Sequence, residues 1–510
     1  MSVIVPYNFV PLNERVWFPK WATQLSHDIP FSDGVSGIIY YQVENKTPLF
    51  VGSMKQENKV LDFFSDADGK PMIPGSGIRG VIRNIHEILS FSKLVTDKER
   101  RLSIRDTYLR EYKDVVDFST IENRIRYGWL RKENGAYQIC FVDARSVQNS
   151  REANVTTGGG PGTQPIQKYF SFDTPQGPWV EVSQKEMQRF EIAHKHVDGE
   201  TFKNYQNTIS DAKKGQPAPV FILQHNQKRY FGVCKYMRIP YNKSIGEKLT
   251  KDHLSENPDL TELIFGYTND AGNLKSRVQF SSLKLEGEAR YGDKVKTVLA
   301  SPKPSYYPTY IEQDGHPQST LRSYNTGQIR GFKRYPIHQT FHAGRAQHTI
   351  PDGGKAADNE DIRVKFRPLQ KGHTFTGKIV FHNLKLVELG SLLSALTFHG
   401  QEECFHAIGM AKPLGYGKCN LVIDQKKSYF VWNNDGKRES INVPAFLDEF
   451  EGMVKEQLSE DSMKRRWSEL FLMAKGHDFL PNDKTYMTIQ EHRIAKKNRE
   501  YLKRFSEIIN

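Results

Sequence analysis

The pattern of apolar and polar positions divides the chain into two strand–helix units with a long interval between them. In GIIYYQVENKTPLFVG (37–52), Ile39, Tyr41 and Val43 alternate onto one face, which predicts a half-buried strand. The polar stretch SMKQENKVLDFFSDADGKP (53–71) reads as a loop that ends in the tight IPGSG turn. From about Ser76 the period becomes helical: Ile78, Ile82, Ile85 and Leu89 fall at i, i+4, i+7 and i+11, with Ser76 as the N-cap. The same order recurs downstream. Phe375, Ile379 and Phe381 share a strand face, and Leu389, Leu392, Leu393 and Leu396 follow at helical spacing. The Gly-rich turn GMAKPLGYGK (409–418) then leads into a strand at Cys419–Ile423. Two such halves predict an α+β fold, a ferredoxin-like, RRM-type sheet with helices on one face.

The interval and the tail differ in character. Residues 94–258 mix helical and strand-like pieces with the glycine-rich TTGGGPGT (156–163) and read as an insertion with folded parts of its own. After Pro444 the pattern is helical: Met463, Trp467, Leu470, Phe471 and Ala474 form a stripe that ends at Gly476, and a further helix is expected over about 488–508. The expected organisation is a first half-core at 1–93, the insertion at 94–258, a second half-core at 259–435 and a helical region at 436–510. No repeat of solenoid period is visible.

Composition narrows the function classes. The 510 residues carry a formal charge of +13, which admits nucleic acid or an anionic surface as a partner. Four scattered cysteines with no CxxC pair exclude a disulfide framework and a cysteine zinc site, and they suit a reducing cytoplasm. No apolar run reaches the roughly 18 residues of a membrane span, and the amino end lacks a secretory layout, so a cytoplasmic protein with no membrane partner is expected.

The chemistry-bearing segments are basic. In IPGSGIRGVIRN (73–84), Gly75, Gly77 and Gly80 permit close backbone approach, and the amino end of a helix offers unpaired N–H groups to anions. Arg79, Arg83 and His86, at i, i+4 and i+7, are expected to share the solvent side of that helix, as a phosphate-contacting surface or as a merely solvated basic face. The stretch 315–351 contains no Asp or Glu, where the chain average would place about four. It carries Arg322, Arg330, Lys333, Arg334 and Arg345 interleaved with Tyr324, Phe332, Tyr335 and Phe341, a pattern suited to phosphates and stacked bases. Its histidines, His316, His338, His342 and His348, fit no metal-ligand spacing. GMAKPLGYGK lacks the GxxxxGK[ST] of a phosphate-binding Walker loop, and no GxSxG, HExxH or DFG motif occurs. Asp66 and Asp68 in DADG suit turn chemistry, whereas Asp62, between Val60–Leu61 and Phe63–Phe64, does not.

IPGSGIRGVIRN, IFGYTNDAGNLKSRVQF (264–280), ELGSLLSAL (388–396) and GMAKPLGYGK, in this order, resemble the landmarks of the RAMP superfamily of CRISPR-associated proteins. PYNFVPLNERV (6–16) and RGFKRYP (330–336) are similar to a large RAMP family found with type III CRISPR systems. The resemblance implies a modified RRM (RAMP) core that stacks along a CRISPR RNA (crRNA), with a complementary target RNA and other CRISPR effector subunits as partners in antiviral defence. It implies that Gly75, Ser76, Gly77, Arg79 and Arg83 lie against the guide backbone. The Gly-rich loop Gly409–Lys418, with Lys412, Gly415, Gly417 and Lys418, would pack beside it. Arg322, Arg330, Lys333, Arg334 and Tyr335 complete the expected RNA-binding set. An aspartate before the IPGS-type turn supports metal-dependent target-RNA cleavage in many backbone subunits, and Asp62 matches its position. A divalent metal, Mg or Mn, is expected at Asp62 only if the chain cleaves RNA. The arginine–aspartate pattern of the family is replaced here by Ser281 and Ser282. Two alternatives stand beside the backbone role: a metal-independent guide-processing endoribonuclease using His86 or a histidine of 315–351, and a non-catalytic capping or adaptor subunit.

Overall fold

The computed structural model describes all residues except 1–2, 58–59, 117–123, 157–168, 196–199, 271, 314–320, 350–361, 482–484 and 510. TTGGGPGT from its second residue, and His316, lie outside the described residues, as does the side chain of His348.

The core is strand, helix, strand, strand, helix, strand. These are β1 (Val35–Asn45), α1 (Gly75–Leu89), an edge strand in two pieces, β2 (Val278–Phe280) and β3 (Leu283–Leu285), then β4 (Thr374–Leu384), α2 (Leu386–Thr397) and β5 (Lys418–Ile423). In space β5 lies beside β1, β1 beside β4, and β4 beside β2 and β3, all antiparallel. This is the strand order of a ferredoxin-like sheet, as the two strand–helix halves predict. Ile39, Tyr41 and Val43 of β1 and Phe375, Ile379 and Phe381 of β4 are buried on the helix side. The register of β4 against its edge partner slips by one residue between Phe280 and Lys284, a bulge at Ser281–Ser282. There the Lys378 amide donates to Ser281 Oγ at 2.9 Å, and Ser281 N–H donates to the Lys378 carbonyl at 3.0 Å.

Helix α1 buries Ile78, Ile82, Ile85 and Leu89, each at most 1% exposed. Its start differs from the expectation for Ser76. Pro74 is the N-cap, Gly75 is the first helical residue and Ser76 is exposed in the first turn. The capping hydroxyl comes from the bulge instead: Gly75 N–H donates to Ser282 Oγ at 3.3 Å. Helix α2 is buried on nearly every side because α3 (Val443–Gln457) covers its outer face. A Cβ at Gly390 would stand 2.3 Å from the Phe446 carbonyl, so that crossing requires glycine. A buried ion pair ties the residue before β2 to α2: Arg277 and Glu388 are 1% and 0% exposed and meet through both guanidinium ends, with Nη1–Oε2 at 2.9 Å.

The stretch 53–71 is not simply a loop. Gly52–Glu57 and Val60–Phe63 pair antiparallel and join Val295–Thr297 and Val364–Phe366 in a four-stranded sheet that carries Asp62. Asp66 behaves as turn chemistry predicts, its Oδ1 accepting from the Asp68 and Lys70 amides. Within 94–258 a separate five-stranded antiparallel sheet holds two consecutive helices, Gln184–His194 and Glu200–Lys213, between its third and fourth strands in sequence. In the tail, α4 (Glu460–Lys475) buries Met463, Trp467, Leu470 and Ala474 and ends at Gly476 with φ 96°. The helix expected at 488–508 is two helices, Ile489–Lys497 and Phe505–Ile509, because Arg499 turns left-handed at φ 55°.

Candidate nucleic-acid interface

PYNFVP and RGFKRYP, distant in sequence, are hydrogen-bonded neighbours: Asn8–Pro11 pairs antiparallel with Gly331–Arg334. Alternation along this strand puts Phe332 and Arg334 on one face and Lys333 on the other. Phe332 turns into the core, where the Arg466 guanidinium lies 4.8 Å from its ring centroid. Arg334 turns toward α1 and donates from Nη1 to Asn84 Oδ1 at 2.7 Å. Lys412, in the Gly-rich loop, is close enough to Arg334 to feel the charge of its guanidinium. Burial pushes Arg334 down to about 10; burial, and then the Arg334 charge, lowers Lys412. Neither forms an ion pair among the described residues. Next to this pair, His406 is held neutral at about 4 by burial and, secondarily, by the same guanidinium.

The loop itself is built for close packing. Gly417, at φ 75°, would put a Cβ 1.8 Å from the Ile408 carbonyl, so only glycine fits. Its neighbour Lys418 extends over the Phe405 ring at 4.2 Å. Gly415 packs near His338 and Phe341.

The amino end of α1 presents an unequal set of residues. Gly75 is buried, and a Cβ there would meet the Phe280 carbonyl at 2.2 Å. Its lack of a side chain therefore serves the docking of α1 on the edge strand, which corrects the expectation that it approaches RNA. Ser76, Gly77 and Gly80 are exposed, and nothing stands within 4 Å of a Cβ built on Gly80. Arg79 donates to the Phe265 carbonyl and leans over that ring, while Arg83 Nε is 3.0 Å from Glu87 Oε1. Both stay partly exposed at the rim of the bare backbone.

His86 departs from the expected basic face. On the helical wheel it falls between the arginines and the isoleucine stripe, and packing draws it inward. It is 0% exposed, bonded to Thr261 Oγ1 at 2.7 Å and Ser391 Oγ at 2.8 Å, and burial pushes it down to about 3. His338 is likewise buried, beside Arg345, and pushed down to about 4. A general acid or base needs access and a pKa near the working pH, so neither suits guide processing.

The acid-free stretch does not form one surface. Arg330 is 7% exposed and donates to the Leu502 and Lys503 carbonyls; Arg345 is 0% exposed. These two are internal struts, which corrects the reading of Arg330 as an RNA contact. Tyr324 is buried with its hydroxyl on the Pro304 carbonyl at 2.8 Å, so with Phe332 it belongs to the core and offers no face to a base. Lys333 caps the Tyr7 and Tyr335 rings at 4.7 and 5.2 Å, and Tyr335 packs in the cluster of Tyr7, Phe9 and Leu502. Arg322 lies elsewhere, in a cavity with Tyr108, Glu111 and Tyr307. Asn84, which helps to assemble the site, went unread in the sequence; its one signal is a poor helix former in the middle of a helix.

Asp62 is half-buried on its strand, near enough to Tyr291 to raise that phenol's pKa together with burial. Among the described residues no three His, Cys, Asp or Glu side chains stand together to hold a metal ion. A lone carboxylate does not make a resident Mg or Mn site; it fits such an ion only when phosphate oxygens of an RNA supply further ligands. No helix among the described residues is long and apolar enough to cross a membrane.

In comparisons with known families, the sequence model of the RAMP superfamily matches residues 42–420. That span runs from within β1 to within β5 and so takes in α1, Arg334 and the Gly-rich loop. No curated protein matches the chain.

Proposed function

The chain belongs to the RAMP superfamily, and from that premise we propose that it is a crRNA-binding backbone subunit of a type III CRISPR effector complex. The family suggests a CRISPR-associated RNA-binding subunit; the type III assignment rests on the resemblance of PYNFVPLNERV and RGFKRYP. The observation that carries the reading is the Arg334–Lys412 pair. Two partly buried cations close together, neither ion-paired among the described residues, are unfavourable in the free protein, and a polyanion relieves that cost. They adjoin α1, whose first turns offer bare backbone at Ser76, Gly77 and Gly80 with Arg79 and Arg83 at the rim. This arrangement suits a ribose-phosphate chain.

The test is guide-RNA binding by the full chain as a function of salt. A single-stranded RNA contributes about 0.7 to the slope of log K against log salt per phosphate neutralised. Arg334→Ala and Lys412→Ala should each shrink the slope by about that amount; slopes equal to wild type would remove the pair from the interface.

Target cleavage at Asp62 forms the second part of the proposal. In the assembled complex, Asp62→Ala should abolish cutting of bound target RNA and leave guide binding within about twofold of wild type. Unchanged cut positions and rates would take Asp62 out of the reaction.

A further inference from the structure

Residues 411–416, the turn that carries Lys412, bond mostly to themselves: Leu414 N–H donates to the Ala411 carbonyl at 2.9 Å and Gly415 N–H to the Lys412 carbonyl at 3.0 Å. Among the described residues one hydrogen bond reaches this segment from the rest of the chain, between His338 Nε2 and the Pro413 carbonyl at 3.2 Å. Pro413 has no N–H, so that carbonyl is its whole capacity for hydrogen bonding. The turn begins on Ala411, which is left-handed at φ 56°, a backbone that costs a residue with a Cβ about 1–2 kcal/mol. A turn carrying that cost keeps its shape only where its surroundings hold it.

Each feature of the His338 ring is set by a neighbour. The ring stacks on Phe479, with centroids 4.7 Å apart and an interplanar angle of 25°. Its Nδ1 stands 2.9 Å from Arg345 Nη1. A guanidinium only donates, so Nδ1 has to accept, and the proton of the neutral imidazole then sits on Nε2. That tautomer donates to the Pro413 carbonyl; the other would turn a lone pair toward it. Burial and the Arg345 charge keep the ring neutral. Arg345 is fixed in its turn: it is 0% exposed, and Nη1 also donates to the Thr340 carbonyl at 3.4 Å. Its helical turn, Arg345–His348, runs into Thr349, whose hydroxyl lies 2.6 Å from Thr297 Oγ1 and accepts from Val298 N–H at 3.0 Å. Thr297 belongs to the sheet that carries Asp62.

We propose, on the reading of Arg334 and Lys412 as RNA contacts, that Arg345 and His338 are positioning residues for RNA binding. The guanidinium sets the imidazole tautomer, and the Nε2–H that results anchors the turn presenting Lys412 to the guide. Packing alone would be satisfied by any side chain of similar volume at 338. Positioning requires a donor toward Pro413 and an acceptor toward Arg345. Glutamine supplies both, through its Nε2–H and its Oε1, and leucine supplies neither.

The experiment measures the salt slope of guide-RNA binding by the full chain in His338→Leu, His338→Gln, Lys412→Ala and the Lys412→Ala/His338→Leu double variant. Side-chain nitrogen NMR signals of histidine-labelled protein give a second readout. His338→Leu should weaken binding about tenfold and shrink the slope by the Lys412 share, about 0.7. His338→Gln should restore most of both. In the Lys412→Ala background His338→Leu should shrink the slope no further, because its effect passes through that lysine. The spectrum should show His338 protonated on Nε2 alone at neutral pH. Arg345→Met, which keeps the ring and frees its tautomer, should bring in the Nδ1–H form and shrink the slope part of the way; it serves where His338→Leu does not fold. A slope indifferent to these variants, equal losses with leucine and glutamine, additive losses in the double variant, or a wild-type ring protonated on Nδ1 overturns the proposal. Lys412→Ala at the wild-type slope would sink the RNA-backbone reading and this inference with it. A full Lys412→Ala effect beside an inert His338→Leu would sink this inference alone.

Discussion

Lys412 and Arg334 show how little a residue's identity says about its task until its surroundings are known. Both are cations in glycine- or aromatic-rich segments, and so is Arg330. Arg330 spends its guanidinium on the carbonyls of Leu502 and Lys503, whereas Arg334 lies near enough to act on the Lys412 charge and neither has an ion pair among the described residues. Replacing a poorly compensated buried charge with an apolar residue of similar length is often neutral or stabilising by about 1–4 kcal/mol. Lys412→Met should therefore hold or raise the melting temperature while it weakens RNA binding; a large loss of stability would instead make Lys412 a structural residue. The acid-free composition of 315–351 was visible in the sequence, but composition does not say which way a side chain points. Tyr324 and Phe332 went to the core because each sits among apolar neighbours that its own segment does not contain.

At the scale of elements, the glycines of α1 separate two jobs that the sequence presents as one. Gly75→Ala drives a Cβ into the Phe280 carbonyl, so it should destabilise the protein by about 1–3 kcal/mol, as overpacking does. Gly80→Ala meets open space and should stabilise the helix by about 0.5–1 kcal/mol. It should nonetheless weaken guide binding, because the new methyl stands where the RNA backbone approaches. Thermal melts paired with RNA titrations check both; unchanged RNA affinity in Gly80→Ala would mean that no backbone comes close there. The stripe of α1, the faces of β1 and β4 and the stripe of α4 were legible because each repeats its period over three or more turns or pairs. The strand pair carrying Asp62 was not: the sequence KQENK at 55–59 is an unbroken polar run that hides the short alternation on either side. Nor was the cap of α1, since Ser282 lies 207 residues from the amide it serves.

For the whole molecule, the two half-cores assemble into one sheet although the insertion separates them, because β1 and β4 share a long register from Val35 to Glu44. The polar interior also sets a response to pH. Burial depresses His86 to about 3 and His194, His338 and His406 to about 4, below their ordinary value of 6.5. A depressed folded-state pKa contributes stability that is whole above 6.5 and lost as the pH falls toward 3–4. Glu87, pushed up to about 7 by burial, acts the opposite way, its contribution fading as the pH rises from 4.5 to 7. Burial raises Asp259 and Glu449 as well, but the four histidines outnumber these three carboxyls, so the melting temperature should fall from pH 7 to pH 5; a flat or rising profile would mean that these imidazoles can charge without unfolding the core.

The most direct measurement is a density map of the chain assembled on its guide RNA. Phosphates should lie within hydrogen-bonding reach of Arg334 and Lys412, with the strand passing over the exposed backbone of Ser76, Gly77 and Gly80. A map in which the guide follows another face and leaves that pair in contact only with protein would contradict the account.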